Sequence, residues 1–255
     1  MEKYNKLWRL FFAIGLIAIA VQQIILASFV PMMIPQLPPW LPGHLAWVYI
    51  FSIALIASCV LIVLEIKARS VSLILGGIFL LLVVIFQIPG QFSGPFNLAS
   101  WTTPFKELTF SGGALVVAGS FPPGNNASGL VKLLEKLIPL GKYFMAVTMA
   151  LFGFMHFIYP GFVSTLVPNW IPWHLFWTYF AGIALMAAGI GIILNIMRSL
   201  ASILLGIMLF LWVIMLHIPL AIADPVANEW TSVFEALAFS GIALLIADKQ
   251  RILHN

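Results

Sequence analysis

The chain of 255 residues has 62% apolar side chains, only 8% charged side chains and a mean hydropathy of +1.10. About a quarter of the residues of a soluble domain are charged, so this composition excludes a water-soluble protein and indicates that the lipid bilayer is the solvent. The net charge of +4 comes without an extended basic stretch, so nucleic acid is not an expected partner.

Apolar runs separated by proline, glycine and charged residues predict eight transmembrane helices. In chain order they cover residues 8–30, 44–66, 70–88, 104–121, 141–160, 173–195, 199–219 and 229–247. The runs are about twice as long as the strands of a membrane barrel, and they do not alternate apolar with polar residues. The predicted fold is therefore an all-α membrane protein. Cys59 is the only cysteine, which excludes a disulfide framework and a CxxC redox pair within one chain.

The distribution of positive charge predicts the orientation in the membrane. All lysines and arginines except Lys106 lie at the termini or in the even-numbered loops, and the positive-inside rule places those segments in the cytoplasm. We therefore expect a multi-pass protein with both termini cytoplasmic. The membrane that we expect is a bacterial cytoplasmic membrane. The opposite loops carry prolines and most tryptophans, which are typical of an outer interface: Trp40, Trp47, Trp101, Trp170, Trp173, Trp177 and Trp230.

An internal repeat organises the chain. Residues 38–49 and 168–179 both read P-x-W-[IL]-P-x-H-L-x-W-x-Y, and the same offset aligns Gln87-Ile-Pro89 with His217-Ile-Pro219. The sequence therefore predicts a first four-helix repeat at 1–121, a cytoplasmic linker at 122–140 and a second four-helix repeat at 141–255. Four crossings return the chain to its starting side, so the repeats would be parallel and related by a pseudo-two-fold axis along the membrane normal.

Polar side chains within the spans are the candidates for a binding site. Each costs free energy unless it is paired or faces the bundle interior, and all of them lie in the outer halves of their helices. The candidate ligand-binding residues, paired by the repeat where a counterpart exists, are Gln23 with His156, His44 with His174, Gln87 with His217, and Glu235. A structural hydrogen bond between helices, or a capping role for His44 and His174, is the alternative reading.

Glu235 and His217 could move a proton, since they are separated by one short loop and would lie in a low-dielectric region. A structural hydrogen bond between the two helices would give the same sequence pattern. In the first repeat the position aligned with Glu235 is Lys106, beside Glu107, and a local ion pair between these two could take its place. No catalytic residue is assigned, and whether the chain is an enzyme stays open.

Other chemistries lack their sequence patterns. No helix carries two histidines at the i and i+4 spacing of a metal site, so no metal is predicted. Haem between His156 and His217 is geometrically possible but disfavoured, because two lone histidines are a weak signal. The chain also lacks a glycine-rich phosphate loop, a nucleophile elbow and a periodic arginine run, which argues against nucleotide hydrolysis, acyl transfer and voltage sensing.

Three motifs of the second repeat resemble the DoxX-like family of membrane proteins. They are His156-Phe at the end of one span, Pro168-x-Trp-Ile-Pro-x-His174 at the start of the next and Leu216-His-Ile-Pro219 at the end of the third. The resemblance is best over 142–247 and weaker over 10–120, and typical members have one four-helix unit. Some members resemble quinone-coupled subunits of thiosulfate oxidation or belong to oxidative-stress membrane complexes, and others act as assembly factors or receptor chaperones.

The resemblance and the pattern of residues together leave three alternative functions. The first is binding of a quinone or another small apolar molecule near the outer leaflet, within a redox-linked membrane complex, with His156, His217 and Glu235 as proton-handling groups. The second is a non-enzymatic role as a membrane assembly factor or chaperone. The third is transport of a small solute between the repeats, which ranks last because the inner halves of the helices are almost purely apolar.

Overall fold

The computed structural model describes residues 4–31, 33, 42–123, 129–224 and 226–248, except for the side chain of Ala227. Across these residues the regular structure is helical and no strand occurs, which confirms the all-α prediction. The helices are α1 (Asn5–Leu26), α2 (His44–Val63), α3 (Ala68–Gln91), α4 (Thr102–Gly119), α5 (Gly129–Glu135), α6 (Gly141–Ile158), α7 (Pro160–Thr165), α8 (His174–Ile193), α9 (Arg198–Ala223) and α10 (Ala227–Ala247).

Seven helical segments in the described ranges are long and apolar enough to cross a membrane, so the chain has the character of a multi-pass membrane protein. They contain α1, α2, α3, α6, α8, α9 and α10. The eighth predicted span, 104–121, corresponds to α4. It forms a helix of 18 residues but is not among the seven, because Lys106, Glu107 and several threonines reduce its hydropathy.

Helices α3 and α9 continue beyond their predicted ends at residues 88 and 219. A π-helical turn precedes the proline in each helix, at Val83–Gln87 before Pro89 and at Val213–His217 before Pro219. A proline cannot donate the usual backbone hydrogen bond, and its ring collides with the preceding turn of an α-helix. The wider π turn relieves that collision, so both helices run through their prolines.

Helix α1 ends at Leu26, four residues before its predicted end. Ala27 adopts a left-handed conformation (φ 50°), and its N–H reaches the carbonyls of Gln23 and Ile24, which closes the helix. Other left-handed residues recur at positions 130 apart in the chain: Gly43 and Trp173, Glu65 and Asn195, Lys67 and Met197. The two π-helical turns have the same separation.

The long helices form a closed ring. In the order α1, α2, α3, α4, α6, α8, α9 and α10, each packs against the next, and α10 returns to α1. Helices α4 and α10 also contact each other across the middle and are largely buried. The predicted repeats therefore do not fold as two separate bundles, since the first helix of each packs against the fourth helix of the other.

Basic residues gather at one end of this ring, which we call the basic end. Arg9 on α1 donates to the Ser120 carbonyl (2.7 Å) after α4 and forms an ion pair with Glu65 (3.2 Å) after α2. Arg69 on α3 pairs with Glu135 on α5 (2.7 Å) and donates to the Phe121 carbonyl (2.7 Å). These contacts bring the segments predicted to be cytoplasmic to the same end of the molecule.

Candidate functional site

An ion pair joins the two central helices. Lys106 Nζ on α4 lies 2.8 Å from Glu235 Oε2 on α10, and the side chains are 30% and 8% exposed. Lys106 forms its ion pair with Glu235 and not with the neighbouring Glu107, which the sequence offered as a local partner. Removing one partner would leave a charge in a low-dielectric interior, so the two side chains depend on each other.

His217 lies on α9 at the end of its π turn, and Lys106 is its charged neighbour. The carboxylate of Glu235 pairs with Lys106, and proton sharing between His217 and Glu235 stays a prediction. Three helices consequently contribute ionisable residues to this region. A sequence comparison of the repeats could have suggested the ion pair, because it aligns Lys106 with Glu235, but alignment alone does not say that aligned positions touch.

Glu107 is the most unusual group near this ion pair. Its side chain is fully buried on α4, and neither carboxylate oxygen has a hydrogen bond of ordinary geometry within the described residues. The side chain of Gln87 on α3 is a polar neighbour of this carboxyl group. Burial of a carboxyl group without hydrogen bonds of ordinary geometry is costly, so packing alone does not explain this position. We call Lys106, Glu107, His217, Glu235 and Gln87 the polar layer.

The two glutamines of the predicted site anchor the loop that follows α1. The Gln23 amide donates to Ser52 Oγ on α2 (3.2 Å), and its carbonyl accepts the Val30 N–H (3.2 Å). The Gln87 amide donates to the Pro31 carbonyl (3.2 Å). These bonds favour the structural alternative for Gln23, and they give Gln87 a structural role beside its place in the polar layer.

His156 is held within its own helix. Its Nδ1 donates to the Phe152 carbonyl one turn earlier (2.7 Å), and its ring stacks on Trp212 of α9 at 6.5 Å. Its Cβ lies 2.8 Å from where a side chain on Gly182 of α8 would begin, so α6 and α8 cross closely here. His44 and His174 begin α2 and α8, with His44 exposed and His174 partly buried.

A groove of about 420 Å³ opens between α1 and α10. Its volume is within the range of about 300–1,000 Å³ that is typical of small-molecule sites. Gln22, one of its lining residues, accepts a hydrogen bond from Thr231 (2.9 Å), and Thr231 lies one helical turn before Glu235. The groove therefore borders the polar layer. Its lining residues are Ala18, Val21, Gln22, Ile25, Leu26, Trp230 and Phe234.

The described residues contain no group of three or more side chains suited to hold a metal ion. A family model described as "Domain of unknown function (DUF8561)" matches residues 145–244, from α6 to α10. No curated protein and no solved structure has significant similarity to the chain. The arguments for function therefore rest on the groove and the polar layer.

Proposed function

We propose that this protein has eight transmembrane helices, built by duplication of a four-helix unit, with both termini in the cytoplasm of a bacterial cell. Buried hydrogen bonds at aligned positions support the duplication: Ser111 donates to the Gly76 carbonyl and Ser240 to the Gly206 carbonyl, both at 2.8 Å. The family match over 145–244 covers one such unit. In this proposal α4 is the eighth span, since it lies beside its counterpart α10, and the basic end faces the cytoplasm.

The function that we propose is binding of a quinone, or of a similar apolar molecule with a polar head, in the groove between α1 and α10. The observation that carries this proposal is the position of the groove: its walls are mostly apolar, and it meets the polar layer through Gln22 and Thr231. The rings of Trp230 and Phe234 provide flat apolar walls for a ring-shaped head group. The resemblance to DoxX-like proteins supports the same class of ligand.

The polar layer would support proton transfer to such a ligand. Reduction of a quinone to a quinol takes up protons together with electrons. Glu235, His217 and Glu107 are groups that can hold or release protons, and Lys106 can stabilise an anionic carboxylate or head group. The electrons would have to come from a partner, so this function requires a redox subunit in the same membrane.

The repeat suggests that only one groove of this kind exists in each chain. The flank between α4 and α6 is the counterpart of the groove, because α6 aligns with α1. The aligned positions there have larger apolar side chains: Leu151 for Ala18, Phe154 for Val21 and Met155 for Gln22. Larger side chains fill the space that the smaller ones leave open, so the ligand would bind on one side of the pseudo-symmetric molecule.

The test measures equilibrium binding of a short-chain ubiquinone to the purified full chain in lipid nanodiscs. Quenching of tryptophan fluorescence reports the binding. The double variant Ala18→Leu/Gln22→Met introduces the residues of the opposite flank, and we expect it to weaken binding by about tenfold or more, as loss of a site contact of over 1.4 kcal/mol would. The control Ala57→Leu makes the same change on an exposed face of α2 and should bind like the original chain.

Equal affinity of the double variant and the control would exclude the groove as the site. Mass spectrometry of the purified protein provides a second readout, since a binding protein should retain an isoprenoid quinone from the membrane. If the preparation retains no quinone and instead co-purifies with a stoichiometric membrane partner in mild detergent, the assembly-factor function is favoured.

A further inference from the structure

The central contact between α4 and α10 pairs aligned positions of the first repeat (1–121) and the second repeat (141–255), which we call the first half and the second half. Lys106 meets Glu235, Phe110 meets Phe239 with ring centroids 5.1 Å apart, and Gly113 meets Ile242. The members on each helix are spaced by four and three residues, so they form one stripe along one face of each helix. We call these three pairs the central stripe. Each position therefore faces its own counterpart across the pseudo-two-fold axis of the proposed duplication.

Two of the three pairs are complementary. The first places a positive side chain against a negative one at 2.8 Å. The third places the smallest residue against a branched one, and a methyl group on Gly113 would lie 2.6 Å from Ile242 Cγ1, which is too close for any real side chain. The aromatic pair is the same on both sides. The two halves have therefore diverged in charge and in size at positions that touch.

One close glycine contact between the halves is alike on the two outer sides. Gly241 of α10 packs on the Trp8 carbonyl of α1, and Gly112 of α4 packs on the Gly141 carbonyl of α6. In both cases an added Cβ would lie 2.6 Å from the carbonyl oxygen. These two glycine contacts have the same geometry, so they do not by themselves distinguish a like pair of halves from a mixed pair. The central stripe can distinguish them, because its charges and side-chain sizes differ between the halves.

We infer that the central stripe makes each half a specific partner for the other half and a poor partner for a second copy of itself. Two second halves would bring two Glu235 carboxylates together and would crowd two Ile242 side chains. Two first halves would oppose two Lys106 ammonium groups and leave a void between two Gly113 residues. This inference rests on the proposed duplication, and it assigns the stripe a function in specificity, of the kind that combines an attractive with a repulsive element.

The experiment uses the full chain, folded and purified before it is cut. A protease site replaces residues 124–128, between Pro123 and Gly129, and cleavage then leaves two halves joined only by contacts. Two preparations, with different affinity tags on the second half, are cut, mixed and captured on one tag. We expect the captured second half to hold a first half in equal amount. The differently tagged second half should be at least about tenfold less abundant. In a pair of second halves a repulsive contact replaces an attractive one, and this lowers the affinity by more than about tenfold.

Two exchanges test the pairs of the stripe. Lys106→Glu should reduce the amount of first half that is retained after cleavage, and the double variant Lys106→Glu/Glu235→Lys should restore it. In the same way, Gly113→Ile should reduce retention, and Gly113→Ile/Ile242→Gly should restore it. Lys132→Glu, an identical charge change on an exposed residue, is the control and should change nothing.

Where a single variant does not accumulate in the cell, the double variants provide the test. The inference is supported if the cleaved double variants retain the first half as well as the original chain does. Abundant pairs of second halves in the mixed sample, or failure of both double variants, would overturn it. Ubiquinone binding is measured on the same preparations before cleavage. A specific pair of halves that binds no quinone would reject the proposed ligand and leave the pairing intact.

Discussion

The close crossing of α6 and α8 allows a prediction with a definite sign. A Cβ on Gly153 would lie 2.6 Å from the Gly182 carbonyl oxygen and 2.7 Å from the Met186 backbone nitrogen, whereas ordinary contacts of a Cβ begin at 3.4 Å. Gly153→Ala therefore requires the helices to separate by about 0.8 Å, because backbone atoms cannot turn aside. Overpacking of this kind costs about 1–3 kcal/mol. Two backbone atoms collide with the added methyl group, so the upper part of this range, about 2–3 kcal/mol, applies. The better helix propensity of alanine offsets at most about 1 kcal/mol, so we expect a net loss of about 1–2 kcal/mol.

The matched control is Gly77→Ala on α3. Its Cβ would approach only the end of the Leu134 side chain, at 3.0 Å, and that flexible group can rotate away. The free energy of unfolding should therefore stay the same or rise by up to about 1 kcal/mol. Titration with SDS in mixed micelles, monitored by circular dichroism, measures the free energies of unfolding of both variants. The reasoning is wrong if Gly153→Ala is as stable as the original chain, or if both variants lose the same amount.

Three further changes probe single contacts by the same SDS titration. Arg69→Gln removes the charged bonds to Glu135 and to the Phe121 carbonyl after α4, and it should cost about 2 kcal/mol, more than Arg69→Lys. Gln23→Leu should cost about 1–3 kcal/mol and speed hydrogen exchange at the Val30 amide, which loses its acceptor; unchanged exchange would contradict this. His156→Phe should cost less than about 1 kcal/mol, since the hydrogen bond that it loses lies within its own helix and a phenyl ring can still stack on Trp212; a larger loss would indicate an additional partner.

Much of the fold could be predicted because hydrocarbon imposes a simple rule on the sequence. Long apolar runs must be helical there, so each predicted span has a helix in the structure, including 104–121, which corresponds to α4. The ends were less predictable. A proline normally indicates the end of a helix, but the π turns let α3 and α9 pass Pro89 and Pro219, and a π turn has no simple sequence pattern.

The candidate site was only partly predictable, because its main contact joins residues far apart in the chain. Periodicity identifies buried faces, but it does not tell which helix of one repeat touches which helix of the other. The ring order brings α4 beside α10, and Lys106 therefore pairs with Glu235. The sequence shows Glu107 only as one polar residue among several, and its burial beside Gln87 depends on packing that the sequence does not specify.

The structure also changes how the two repeats relate to a site. Aligned polar residues suggested two similar layers, yet Gln23 holds a loop while its counterpart His156 bonds within α6. The charged groups that remain, Lys106 and Glu235, belong to different repeats and share one contact. A single polar layer at the junction of the halves accounts for both observations. A charge change in either repeat then alters the same site, so the two positions can change sign only together.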